Sequence, residues 1–119
     1  MTKGQYEAEI SKKISKFESD YMGRGPIKIC TKIIEDVVLV RLWGFLTPAE
    51  KLVAKTSEGT DLIKKVRVRL FEGADHQFRQ VINNILEEEI ISIHSDVSTV
   101  TGEKIIVITF EKNINFDNN

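Results

Sequence analysis

Residues 57–88 contain no proline and place apolar side chains at Leu62, Val66, Leu70, Ala74, Phe78, Val81, Ile82, Ile85 and Leu86. This is the i, i+3, i+4 recurrence of a helix with one dry face. At about 1.5 Å per residue, a single helix over this stretch is about 45 Å long, enough to cross a whole domain of 119 residues. The remaining elements can then all pack along its stripe. Lys64, Lys65, Arg67, Glu72, Asp75, Arg79 and Glu87 lie away from the apolar line or at its edge and read as the wet face. Gly73 costs about 1 kcal/mol relative to alanine inside a helix, so it signals either a close backbone approach or a second break. A first break falls in residues 56–60, with Ser57 or Thr60 as the candidate N-cap.

Ahead of this stretch, Tyr6, Ile10, Ile14, Phe17 and Tyr21 are spaced by three or four and define an amphipathic helix from about residue 4 to 21. It stops at Gly23, Arg24, Gly25 and Pro26, where two glycines permit positive φ and the proline forbids continuation. Two alternating segments follow, residues 27–34 and 37–45, joined by Glu35 and Asp36 as a two-residue turn. That register sets Ile33 against Val38, Thr31 against Val40 and Ile29 against Leu42 on one face. Thr47, Pro48 and Glu50 then form a capping box with proline at the first helical position, which opens a short helix.

The last third is a second hairpin. With Thr101 and Gly102 as its turn, Val97 meets Ile106 and Ile93 meets Phe110, while His94 and Asp96 point outward. From about residue 112 the tail is polar and reads as frayed. The fold class is therefore α+β, in the order α-β-β-α-α-β-β. Two antiparallel hairpins form one sheet with the helices on one face, in a single domain spanning residues 1–119.

Composition narrows the function classes. With 41% hydrophobic and 29% charged residues the chain is a soluble globular domain. A net charge of −1 gives no bulk attraction to nucleic acid. Lys64, Lys65, Arg67 and Arg69 lack neighbouring aromatics and read as a solvated helix face. The single cysteine, Cys30, permits no intrachain disulfide, points to a reducing cytoplasm and reads as a packing residue. The N-terminus has no signal-peptide pattern, and no apolar run approaches the ~20 residues of a membrane span. Membrane association is expected only through a partner, not by insertion.

Two groups could carry chemistry. Gly23, Arg24, Gly25 and Pro26 could form an anion-binding nest, but they lack the lysine and Ser/Thr of a P-loop. A tight turn at a helix end is the better reading. His94, Ser95, Asp96 and Ser98 could place a histidine beside an orienting carboxylate. A metal needs three or four convergent ligands, so a histidine in a polar strand or at an oligomer contact is preferred. No catalytic residue, metal or cofactor is assigned.

Residues 21–26 (YMGRGP), 46–51 (LTPAEK) and 92–98 (SIHSDVS) give the chain a resemblance that covers nearly its whole length. It resembles the small bacterial proteins formerly grouped as a domain of unknown function and now named for MpsC, a subunit of a sodium-translocating membrane-potential-generating system. The resemblance implies a non-enzymatic accessory or regulatory subunit, working with membrane-protein partners in cation or inorganic-carbon transport. The alternatives are a small-anion sensor, built on residues 23–26 and 95–98, and an enzyme using His94 and Asp96. A homodimer is expected as well. Ile34, Val37, Leu39, Trp43 and Phe45, joined by Ile105 and Val107, put an apolar patch on the sheet face opposite the helices.

Overall fold

The computed structural model describes residues 1–116. Its first helix, α1 (Lys3–Tyr21), opens with a capping box in which the Gln5 N–H donates to Thr2 Oγ1 and the Thr2 N–H to Gln5 Oε1. Ile10, Ile14 and Phe17 line its buried face, and Glu18 is buried with them. At Gly23, φ of 89° turns the chain toward the sheet.

Strands β1 (Lys28–Ile34) and β2 (Val37–Trp43) pair in the expected register, with Ile33 opposite Val38, Thr31 opposite Val40 and Ile29 opposite Leu42. Glu35 makes the tight turn at φ 56°. β1 is an edge strand, and α1 covers its open side. Glu7 Oε2 accepts the Ile33 N–H at 2.8 Å, and Ser11 bonds the buried Thr31 hydroxyl at 2.7 Å. The edge is thereby closed to further strand pairing.

α2 (Pro48–Val53) starts at the expected Thr47 box, closed by Glu50. The N-cap of α3 (Ser57–Gly73) is Thr56, not Ser57 or Thr60: its Oγ1 accepts the Gly59 N–H at 3.0 Å, while the Thr60 hydroxyl donates back to the Ala54 carbonyl. A Cβ on Gly59 would lie 1.8 Å from the Val53 carbonyl oxygen, so the reversal between the two helices requires glycine there. The long helix ends sooner than its periodicity suggests. It breaks at Ala74, where φ is −103° and ψ 14°, and resumes as α4 (Asp75–Asn83). A Cβ on Gly73 would meet nothing within 4 Å, so of the two roles open to that glycine the structure shows the break.

β3 (Ile90–Val97) and β4 (Glu103–Phe110) complete a four-stranded antiparallel sheet in the order β1-β2-β4-β3. Their register differs from the expected one by two residues. Val97 faces Lys104 and Ile93 faces Ile108. The loop is longer than a two-residue turn and comprises residues 98–102: Gly102, at φ 74°, donates to the Ser98 carbonyl, and Ser98 Oγ accepts the Thr101 N–H. Because the shift is even, every side chain keeps its face. Ile91 is bulged out between the Ile90 and Ser92 pairs and is exposed.

The main core joins Ile10, Ile14 and Phe17 of α1 and Phe78 and Ile82 of α4 to Val38, Val40, Leu42, Ile106, Ile108 and Phe110 of the sheet. Phe17, Phe71 and Phe78 meet edge to face, with centroids 5.1 to 6.3 Å apart. A smaller cluster, Phe45, Leu46, Ile63 and Val97, lies where α3 docks. The tail does not fray throughout: Ile114 is buried, its N–H donating to the Glu35 carbonyl, and Phe116 packs on Tyr6; residues 117–119 lie outside the described residues. Phe45 does not belong to the outer sheet face. Gly44, at φ 78°, ends β2 and turns Phe45 inward to 2% exposure.

Candidate functional site

The charged residues that the fold brings together include Arg67, whose neighbours in sequence read as a solvated helix face. Arg67 follows Gly59 and Ile63 at four-residue steps along α3 and is 4% exposed. Its guanidinium forks onto Glu50, with Nη2 to Oε1 at 2.6 Å and Nε to Oε2 at 3.0 Å. Nη1 donates to the Met22 carbonyl and Nη2 to the Phe45 carbonyl, both at 2.9 Å. One side chain thus ties the end of α1, the end of β2 and the start of α2 to α3. The planar fork makes this possible, since an ammonium has no matching geometry.

A second buried pair closes the layer beneath. Lys104 stands on the inner face of β4, with its Nζ 3.0 Å from both oxygens of Glu18, and both residues are 1% exposed. The ammonium also lies over the Phe71 ring, 4.7 Å from its centroid. Burial pushes Lys104 below its ordinary value, and the Glu18 charge and hydrogen bonds oppose that shift. Glu50 shows the opposite balance: burial pushes its carboxyl up, but the Arg67 and Thr47 hydrogen bonds outweigh burial and hold it below the usual carboxylate value. Two cations face two anions, so the cluster is neutral as a set.

The residues singled out in the sequence do not converge. Arg24 Nη1 donates to the Leu46 carbonyl at 2.8 Å, which makes residues 23–26 a clasp on the next loop. A cavity beside Ser95, Asp96 and Val97 is completed by Arg67, Val68 and Lys104, none of them from residues 23–26, and at about 10 Å³ it holds at most one water. On β3 the side chains divide. His94 faces outward and its Nε2 bonds Ser92 Oγ at 3.1 Å. Asp96 accepts the Val97 N–H and lies 3.9 Å from Lys64. Ser95 faces the core side opposite Ile106, and Ser98 belongs to the turn. Among the described residues, no group of three or more His, Cys, Asp or Glu could hold a metal ion.

The outer sheet face keeps Ile34, Val37, Leu39 and Trp43 of the expected apolar set, Ile34 exposed and the others half-buried beside Ile105 and Val107. Trp43 sits between two cations, with Lys28 Nζ 4.9 Å and Arg41 Cζ 4.7 Å from its ring centroid. Arg41 in turn holds Glu103 at 2.7 Å.

The sequence model described as "Na+-translocating membrane potential-generating system (MpsC)" matches residues 2–112. The chain belongs to the MpsC family. It is 40% identical over 117 residues to the Uncharacterized protein YbcI of Bacillus subtilis (strain 168), an alignment covering 95% of this chain and 94% of that relative. The Uncharacterized protein YrhF of the same organism is 23% identical over 107 residues, 89% of this chain and 88% of its own. No solved structure matches. Within this MpsC-family chain, residues 21–26 and 46–51 of the resemblance supply the Met22 and Leu46 carbonyls and the Glu50 carboxylate to which Arg24 and Arg67 bind. Both arginines serve the fold there.

Arg67, Glu18 and Lys104 escape apolar patterning because each is charged. Each nevertheless sits at a dry position: Glu18 four residues after Ile14, Arg67 four after Ile63, and Lys104 two before Ile106. A charge at core parity is the signal that could have found them.

Proposed function

We propose that this chain is a small, non-enzymatic accessory or regulatory subunit of a membrane system for cation or inorganic-carbon transport. It works on the cytoplasmic side and reaches the membrane through a protein partner. The observation that carries this reading is the match of residues 2–112 to a family described by a Na+-translocating membrane potential-generating system. Among the described residues no helix is long and apolar enough to cross a membrane, so contact with a bilayer-embedded partner has to use the surface. The α2 and α3 pair offers one: Leu52, Val53, Leu62, Val66, Val68 and Leu70 are each 42 to 65% exposed. Leu62, Val66 and Leu70 recur at four-residue steps along α3, and an exposed apolar stripe of this kind is what protein partners bury.

The test is purification of the tagged chain from membranes of its native host after mild cross-linking, with identification of what accompanies it. A polytopic transport subunit is the expected partner, lost on Leu62→Glu/Val66→Glu; recovery of the chain without any membrane subunit would overturn the assignment. Pure protein mixed with anionic vesicles should stay in the supernatant, and sedimentation with lipid alone would rule out a partner-mediated route.

A further inference from the structure

The outer face of the sheet is self-complementary in a way that its apolar content alone does not reveal. Its two central strands carry the apolar residues, Leu39 on β2 directly opposite Val107 on β4. Its two edges differ in charge, two lysines on one and a single carboxylate, Asp96, on the other. β1 presents Lys28 and Lys32, whereas β3 presents His94 and Asp96. The register puts Cys30, Arg41, Ile105 and Asp96 in one row across the sheet, and Lys32, Leu39, Val107 and His94 in the next.

We propose that a second copy of this chain covers this face, about a two-fold axis parallel to the strands and centred between β2 and β4. That axis lays β1 on the second copy's β3 and β2 on its β4 while keeping each row in place. Leu39 then meets Val107 twice at the centre. Asp96 comes over Cys30 of the second copy, between the second copy's Lys28 and Lys32, and the same contact repeats on the other side, as an isologous interface requires. Packed sheets lie about 10 Å apart, a gap that a lysine and an aspartate span together. Asp96 is available for this contact, since its side chain is 82% exposed and its internal cation is 3.9 Å away. The other in-plane axis, perpendicular to the strands, stacks β1 on β1 and sets lysines against lysines, which is repulsive. An anionic membrane would meet Asp96 and Glu103 on the same face, so a lipid surface fits less well than a second copy. This inference does not depend on which membrane partner the chain serves.

Sedimentation velocity up to roughly 100 µM, where a modest interface assembles, is expected to show a wild-type dimer. Leu39→Glu should be monomeric and, with its side chain on the open face, should melt as a folded protein. Asp96→Lys should weaken dimerisation by at least about tenfold, and adding Lys28→Glu and Lys32→Glu should restore it. To test the axis, Asp96→Cys should be joined to the native Cys30 of the other copy by a short bis-maleimide. The wild type should not be joined through Cys30, since its two copies lie on opposite edges, about 14 Å apart laterally. A wild type that stays monomeric, or a dimer that survives Leu39→Glu, would overturn the interface. A dimer that the Asp96→Cys variant fails to cross-link would overturn the axis.

Discussion

The two ends of the sheet are held by different physics. At one end α1 and α4 cover it with Ile14, Phe17, Phe78 and Ile82, a mainly apolar contact to which Glu7 and Ser11 add hydrogen bonds at the β1 edge. At the other, α2 and α3 dock through a small buried apolar cluster, Phe45, Leu46, Ile63 and Val97, through Phe71 at the edge of the main core, and through the Arg67 fork above the Glu18 and Lys104 pair. The apolar end is stabilised in proportion to area removed from water, so each residue contributes nearly on its own. The ionic end works as a set: buried charges recover their lost hydration only while every partner is present. The difference also accounts for the exposed apolar residues of α2 and α3. A helix anchored by one arginine need not turn its whole apolar stripe toward the core.

The sharpest way to break this comparison is to remove one partner at each end. Glu18→Ala leaves the Lys104 ammonium buried without its acceptor and should cost about 3–5 kcal/mol. Phe78→Ala opens a cavity and should cost about as much, roughly 3–5 kcal/mol. Chemical denaturation measures both. The two should part in rescue: Glu18→Leu combined with Lys104→Met removes both charges and should recover most of the loss. If the double variant is no more stable than Glu18→Ala, the ionic end does not behave as a set.

A smaller effect is expected from Arg67→Lys, which keeps the charge and loses the fork. Lysine cannot reach Glu50 and the Met22 and Phe45 carbonyls together, so the loss should be about 2–3 kcal/mol. In native-state hydrogen exchange it should fall mainly on amides of α2 and α3. Uniform loss of protection across α1 and α4 would mean that the two ends unfold as one unit.

What could be read in the sequence follows the same division. The register of the first hairpin was legible to the residue because a two-residue turn leaves one pairing, and Ile33 and Val38 both had to face inward, whereas the end of β2 at Trp43 was not. The second was legible only in parity. Its five-residue loop shifts the pairing by two, which alternation does not detect. The apolar core followed from helical spacing in α1 and α4, and the Thr47 box from three adjacent residues. The ionic end was not legible as a unit. Glu18 and Lys104 are 86 residues apart, and their meeting depends on β4 lying beside β2, a strand order that local pattern does not encode. The anion loop and the His94 group were legible as residue types, but chain reversal and strand alternation explain both without a ligand.

Acid sharpens the comparison further, because Glu50 belongs to the ionic end. Glu50 has its folded-state value held below the ordinary 4.5, so its interaction contributes full stability above about pH 4.5. That contribution is lost as pH falls through the folded-state value. Glu50→Gln lacks it. The stability gap between wild type and Glu50→Gln should therefore be widest near neutrality and close in acid, as followed by urea denaturation at a series of pH values. A gap that stays constant with pH would show that the Glu50 charge contributes nothing beyond its shape.

The smallest effect concerns the junction of the two ends. Gly73 closes α3 immediately before Ala74, where the axis breaks. It is not among the glycines at positive φ, and a Cβ there would meet nothing within 4 Å. Alanine should therefore fit without strain and stabilise the helical state by about 1 kcal/mol. The break itself should survive, because it is held from both sides. The Ala74 N–H reaches the Leu70 and Phe71 carbonyls, and beyond it Phe78 is locked between Phe17 and Phe71. A gain in melting temperature for Gly73→Ala, with Arg67→Lys still acting on α2 and α3 alone, is the expected result. A loss instead would show that the junction depends on glycine, and that the two ends are coupled through the backbone at residue 73 as well as through the Glu18 and Lys104 pair.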